Sequence, residues 1–328
     1  MVLGSAYGNA CFGYNKCSLK GCDQGYGQEL SLCEITLSIV IVSWNTRDLL
    51  LRALESIYAA PPPFPFEVIV VDNASVDGTV AAVQQAYPQV ILLPNAVNNG
   101  YAKGNNQGIE RARGAYILLL NPDVLLPKGG LEKAVRFMEQ HPEAGAIGVR
   151  QVHPDGTLER SVRGFPTPLG VLWELIGLSR LFPKNRFFGA YRMTWFTYDK
   201  VAEVDQPMGT FLMLRRQAVE QVGMLDEGFP IFFNEVDWCL RCKRKGWKIY
   251  FTPEVEIVHY GGASTSQVAP AMAWESRRGL LRFYARHYGG WVYAPLRLLV
   301  ALLSWPYAWW QARQRRQRVQ QESPKGRT

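Results

Sequence analysis

Val70-Val71-Asp72-Asn73-Ala74-Ser75 carries a run of apolar, β-branched residues straight into an acid and an amide. Leu119-Leu120-Asn121-Pro122-Asp123 repeats the pattern further along. Short runs of this kind read as buried strands, and open α/β sheets place ligands at the carboxyl ends of their strands. A third end follows from Phe232-Phe233-Asn234-Glu235-Val236-Asp237-Trp238, which puts two carboxylates at a helix start before the chain returns through a short strand to His259. Three such ends imply one site.

Around these stretches strands and helices alternate. Leu37 to Val42 is an apolar strand, and Ser43-Trp44-Asn45-Thr46 is the loop after it. A helix follows with Leu50, Leu54, Ile57 and Tyr58 on one face, stopped by Pro61-Pro62-Pro63. Glu67 to Val71 is the second strand, and a helix carrying Val80, Val83 and Tyr87 comes next. Val90 to Leu93 is the third strand, leading into a polar turn over Asn98–Asn106; Tyr116 to Leu120 is the fourth. The alternation predicts an α/β fold with a parallel, doubly wound sheet. Residues 151–205 mix Pro, Gly and aromatics without a period, as an insertion facing an acceptor would. Further strands are expected at Gly209–Arg215, Ile249–Phe251 and Val255–Val258.

With 328 residues, 48% of them hydrophobic, the chain can bury a sizeable core. The first 34 residues lack any period and read as a poorly ordered leader. Cys11, Cys17, Cys22 and Cys33 within it match no zinc spacing. Cys239 and Cys242 form a C-x-x-C on a charged helix, where packed thiols are the expectation; a reducing, cytoplasmic setting fits. The formal charge of +8 is concentrated at the end of the chain, where Arg313, Arg315, Arg316, Arg318, Lys325 and Arg327 face only Glu322. The aromatic run Trp305–Trp310 beside them favours anionic lipid over nucleic acid as the partner.

No G-x-x-x-x-G-K-[ST] loop is present, and no G-x-G-x-x-G follows the first strand, which argues against an ATPase or an ordinary dehydrogenase. A sugar nucleotidyltransferase would need a Gly-rich basic loop where Ser43-Trp44-Asn45-Thr46 stands.

Five segments, in order, resemble the inverting nucleotide-sugar glycosyltransferases of the GT-A fold, rhamnosyltransferase-like bacterial members above all. They are Ser38–Asn45, Val70–Gly78, Asn98–Asn106, Leu120–Asp123 and the Asn234–His259 block. The resemblance implies a GT-A-type, Rossmann-like nucleotide-sugar-binding domain over 35–265. It implies a donor site formed by Ser43, Asn45, Asp72, Asn99, Lys103, Asn106 and Asn121. It also implies a Mg²⁺ or Mn²⁺ ion held by Asp123 and His259 on the donor diphosphate. Asn121 stands where the family's D-x-D has its first acid, and Asn234-Glu235-Val236-Asp237 stands where it has E-D-x-D. By the same resemblance Glu235 is the general base, with Asp237 the second candidate. Deoxythymidine-diphospho-rhamnose is the implied donor and a saccharide or polyprenyl-linked saccharide the implied acceptor. A catalytically inactive, membrane-bound module that binds nucleotide sugars or saccharides is the alternative left open.

Residues 266–328 are the expected C-terminal membrane-association region. Trp291 to Trp310 is about as long as a bilayer-spanning helix, roughly 20 residues, yet Arg297, Pro295 and Pro306 interrupt it, and basic clusters flank both sides. Interfacial helices on the cytoplasmic face of the bacterial inner membrane fit better, making the protein peripheral. Removing residues 289–328 is then expected to leave a soluble catalytic domain.

Overall fold

The computed structural model describes residues 35–262 and 265–322. The leader expected over 1–34, with its cysteines, lies outside them, as do Lys325 and Arg327. In chain order the first half comprises β1 (Leu37–Ser43), α1 (Arg47–Tyr58), β2 (Phe66–Asp72), α2 (Thr79–Ala86), β3 (Ile91–Pro94), α3 (Tyr101–Arg111), β4 (Tyr116–Leu120), β5 (Val124–Leu125), α4 (Gly130–Gln140) and β6 (Ala144–Val152). The middle holds β7 (Leu158–Glu159), β8 (Val162–Arg163), α5 (Pro168–Leu175), α6 (Leu178–Leu181), β9 (Ala202–Glu203) and β10 (Gln206–Pro207). The remainder is β11 (Phe211–Arg215), α7 (Arg216–Val222), α8 (Asn234–Arg244), β12 (Lys248–His259), α9 (Ala269–His287) and α10 (Ala294–Glu322).

The main sheet runs β3-β2-β1-β4-β11-β6-β12-β5. Its first four strands are parallel, as the alternation predicts. The expectation of an all-parallel sheet fails at β11, which is antiparallel to both β4 and β6. The sheet is therefore mixed.

Both faces are covered, which explains why the strands read as continuous apolar runs. Ile39, Ile41, Val70, Leu118 and Leu120 point into one core beneath α1 and α4. The alternate residues Val40, Val42, Ile69, Val71 and Leu119 enter a second core with α3, α7 and α8. A third cluster joins Val171 and Leu172 of α5, Val236 of α8, Phe283 and Tyr284 of α9, and Val300 of α10.

Three local expectations are corrected. The stretch expected as a polar turn becomes α3 from Tyr101 onward, a helix whose buried face is Ala102, Gly104, Asn105, Gly108 and Ile109. Its glycines let the backbone close on β1: a Cβ on Gly108 would lie 2.2 Å from Val40 Cγ1, and one on Gly104 2.9 Å from Val42 Cγ1. The two strands expected at 249–251 and 255–258 are one, β12, with a register shift between Thr252 and Glu256. Finally, α10 passes through Pro306 without ending, with Pro295 in its first turn, where proline is tolerated.

Cys239 and Cys242 are free, buried and packed in the second core. Burial pushes the Cys242 thiol up to about 12, so both act as small apolar side chains.

Candidate active site

Strand register assembles the site. Ser43 pairs with Asp72 at the ends of β1 and β2, and Ile41 pairs with Leu120, so Ser43, Asp72 and Asn121 meet at the carboxyl ends of three neighbouring parallel strands. Val124 of β5 pairs with His259 at the end of β12, bringing Asp123 and His259 together although 136 residues separate them in sequence. α8 adds Glu235 from the other side.

These elements surround a cavity of about 470 Å³ whose walls include Ser43, Asn73, Tyr101, Asn121, Asp123 and Glu235. Tyr101 braces it. Its hydroxyl donates to Asn121 Oδ1 at 3.0 Å or to the Gly209 carbonyl at 3.1 Å, and its backbone N–H donates to the Pro230 carbonyl. Gly100, just before it, has φ of 83° and a Cβ there would meet Pro230 O at 3.0 Å, so this corner requires glycine. Ser43 is fully buried and shares a hydrogen bond with Thr46. Asp72 accepts from the Ser75 N–H through Oδ2, while its buried Oδ1 has no partner among the described residues; its neighbours Ser43 and Asn73 line the cavity and Asp72 itself does not.

Asp123 and His259 are both almost fully buried, with Nε2 of the imidazole 3.4 Å from Asp123 Oδ1. The other ring nitrogen is anchored 2.7 Å from Glu159 Oε2, on β7. Burial favours the neutral ring, but the Asp123 and Glu159 carboxylates outweigh it and push His259 up to about 9. Once a cation has displaced the Nε2 proton, a carboxylate beside an imidazole oriented by a second carboxylate is a donor set that fits a divalent cation such as Mn²⁺. Among the described residues no group of three or more His, Cys, Asp or Glu is arranged to hold a metal. A cation here would have to complete its shell with donor oxygens or water.

Glu235 is half-buried in the first turn of α8, preceded by Phe233 in a left-handed conformation (φ 70°), which non-glycine residues seldom adopt. Loss of water pushes its carboxyl from 4.5 up to about 7, with backbone hydrogen bonding only partly opposing this. It also lines a second cavity, between the β8–β10 pair and α9–α10.

Asp237 is placed elsewhere. Two residues on, and so on the opposite face of α8, it is fully buried, with Oδ2 2.7 Å from Arg241 Nε and Oδ1 2.7 Å from His287 Nε2. Its oxygens are committed to ion pairs and do not face the cavity, so the second candidate for the base is corrected to a structural role. Four more of the expected donor-site residues do not line this cavity. Lys103 is exposed on α3, and Asn99 lies off the cavity wall. Asn106 is buried and spent on the Leu225 backbone and Glu227. Asn45 also lies off the wall, holding the Ser75–Val76 turn through its N–H and Oδ1. Tyr101, Glu159 and His287 were not singled out as functional from sequence. Only their spatial neighbours reveal them.

Residues 38–223 match the family model described as glycosyl transferase family 2. The chain belongs to glycosyl transferase family 2. It is 30% identical over 277 residues to the N-acetylglucosaminyl-diphospho-decaprenol L-rhamnosyltransferase of Mycobacterium tuberculosis, covering 80% of this chain and 88% of that one. It is 23% identical to the rhamnosyltransferase WbbL of Escherichia coli K12, over 76% of this chain and 92% of the relative. Among solved structures, the mannosyltransferase PcManGT of Pyrobaculum calidifontis, in complex with GDP-Man and Mn²⁺, superposes with a TM-score of 0.54 at 18% identity. That match covers 89% of this chain and 77% of that one. Family 2 membership makes this protein a glycosyltransferase, and its mixed α/β sheet is GT-A-like.

Proposed function

We propose that this family 2 member is an inverting glycosyltransferase that moves a sugar, rhamnose by analogy with its relatives, from a nucleoside-diphosphate donor to a lipid-linked saccharide. The observation that carries the reading is Glu235: a carboxyl poised near neutrality by desolvation, on the wall shared by two cavities. A base with its pKa near the working pH combines an available lone pair with a useful affinity for the proton.

In the step, an acceptor hydroxyl approaches the donor's anomeric carbon from the second cavity. Its proton passes to Glu235 as its oxygen bonds to that carbon. The bond from the same carbon to the diphosphate oxygen breaks, and the nucleoside diphosphate leaves from the first cavity. One displacement from the opposite face inverts the anomeric centre. Asp123 and His259 would hold a Mg²⁺ or Mn²⁺ ion, which supplies positive charge for the departing diphosphate. Asp72 and Ser43 orient the nucleoside end.

The C-terminal helices support a membrane setting. α10 buries small residues on one stripe, Val300, Ser304, Ala308 and Ala312, and exposes large ones, Leu298, Leu302, Trp305 and Trp309. Leu296 and Leu303 still pack inward, so the exposed residues form a further apolar face that a helix on a globular surface ordinarily lacks. No described helix is long and apolar enough to cross a membrane. We therefore read the protein as peripheral, on the cytoplasmic face of the bacterial inner membrane, with these aromatics at the lipid interface and arginines at anionic headgroups.

The test is a panel of nucleotide sugars screened by thermal shift with Mn²⁺, since a bound donor raises stability by mass action. It is followed by transfer to an N-acetylglucosaminyl diphosphate lipid, with the product anomer assigned by NMR. Retained configuration would refute the single displacement.

A further inference from the structure

The second cavity, of about 340 Å³, lies among α5, α9, α10 and the β8–β10 ribbon and reaches Glu235. Arg163, Arg192, Arg277 and Arg315 all line it, against the carboxyls of Glu174 and Glu235. Arg192 is held 2.7 Å from Glu174 Oε1, and Ser179 hydrogen-bonds the other oxygen of that carboxylate at 2.6 Å. Arg163, Arg277 and Arg315 form no ion pair among the described residues. Arg277 Nη2 instead donates to the Ala301 carbonyl at 3.1 Å and Arg315 Nη1 to the Ala269 carbonyl at 3.3 Å. These bonds cross between α9 and α10 and fix the two guanidiniums on the cavity wall.

Donors left over line the same space. Ser161 is 1% exposed and its Oγ makes no hydrogen bond; Arg192 Nε and Arg277 Nε are buried and equally without one. Buried donors of this kind are rare unless a ligand completes them. Half-buried positive charges and unfilled N–H and O–H groups together call for an anion rich in acceptor oxygens, and the guanidinium fork suits phosphate.

We propose that this cavity is a diphosphate subsite, taking the sugar–diphosphate linker of a lipid-carried acceptor while the acceptor hydroxyl reaches Glu235. The proposal rests on the glycosyl-transfer reading above and names the acceptor's chemical class. The cavity wall contributed by α10 (Ser304, Tyr307, Ala308, Arg315) belongs to the helix that exposes Leu298, Leu302, Trp305 and Trp309 elsewhere on its surface. One helix thus serves both the charged linker and the apolar tail beyond it.

The test compares two acceptors on the full chain: an N-acetylglucosaminyl diphosphate bearing a short alkyl chain, and the alkyl N-acetylglucosaminide without the diphosphate. Arg163→Gln and Arg315→Gln should each raise KM for the charged acceptor about tenfold to a hundredfold, the worth of a charged hydrogen bond. KM for the neutral acceptor should not move. Calorimetry reads the cavity without turnover: the charged compound should bind the wild type and bind either variant at least tenfold more weakly. Inorganic pyrophosphate should compete with the charged acceptor. If pyrophosphate competes only with the nucleotide sugar, the anion site is the donor's and the proposal falls. Variants that leave affinity for the charged compound unchanged, or raise both KM values equally, also overturn it. Absence of transfer with every donor, alongside arginine-dependent binding of the charged compound, would overturn the glycosyl-transfer reading and leave the anion subsite standing.

Discussion

Replacing Glu235 by Gln should make the protein more stable and less active at once, and the size of the first effect follows from the site. Its carboxyl titrates at about 7 where an unperturbed one titrates at 4.5, because burial disfavours the charged form. At about 1.4 kcal/mol per tenfold, keeping that group ionised costs the folded state at most ~3 kcal/mol. Because the side chain borders two cavities that admit water, ~1–3 kcal/mol is the expected range. The sign follows from proton binding. The folded state holds the proton more tightly than the unfolded chain, so the penalty is absent below pH 4.5, grows as pH rises from there and is complete above about 7. At pH 8 the wild type carries the whole penalty, and the Gln variant, with no charge to bury, carries none. Thermal unfolding should place the variant several degrees above wild type at pH 8, at roughly 2–4 °C per kcal/mol for a domain of this size. The two should converge near pH 4.5. Turnover should fall by about 10² to 10⁴, the usual contribution of a positioned base, and wild-type turnover should itself rise with pH up to about 7. Equal melting temperatures at pH 8 would mean the carboxyl is not desolvated, and the assignment of the base would lose its physical support.

Other perturbations separate the remaining roles. Asp123→Ala should abolish divalent-cation-dependent donor binding measured by calorimetry, and His259→Ala should weaken it less; cation-dependent binding by both variants would place the ion elsewhere. Asp237→Asn should lower stability by about 3–5 kcal/mol in chemical denaturation, because it removes the charged acceptor shared by the buried His287 side chain and the half-buried Arg241. Deleting 289–328, expected from sequence to leave a soluble domain, should instead destabilise the chain: α10 buries Val300 and Ala308 and walls the second cavity. Aggregation or a lowered melting temperature is the readout.

Residues at strand ends were legible in the sequence because strand and ligand positions are coupled: an acid directly after an apolar run has little choice of location. Ser43, Asp72, Asn121 and Asp123 lie at the carboxyl ends of the strands for that reason, and Glu235 joins them from a helix start. What was not legible depends on partners distant in sequence. The direction of β11 is set by pairing with β4 and β6, and the apolar run Phe211–Leu214 reads the same either way up. Asp237 and Glu235 are indistinguishable as letters; only Arg241 and His287 around one, and open cavities around the other, separate them. The second cavity was invisible because its arginines come from β8, the 182–201 segment, α9 and α10, which no periodicity connects.

The hydrogen atoms standing in for side chains at Gly104 and Gly108 hold α3 against Val42 and Val40, and through it Tyr101 and the rim at Gly100. By helix propensity alone, alanine at either position would be an improvement of about 1 kcal/mol. Here it would wedge a methyl group between helix and strand and tilt the cavity wall that Tyr101 forms. The location of that wall is thus written in missing atoms. Selection for local helix strength and selection for catalytic geometry pull this segment in opposite directions, which leaves it looking, letter by letter, like a loop.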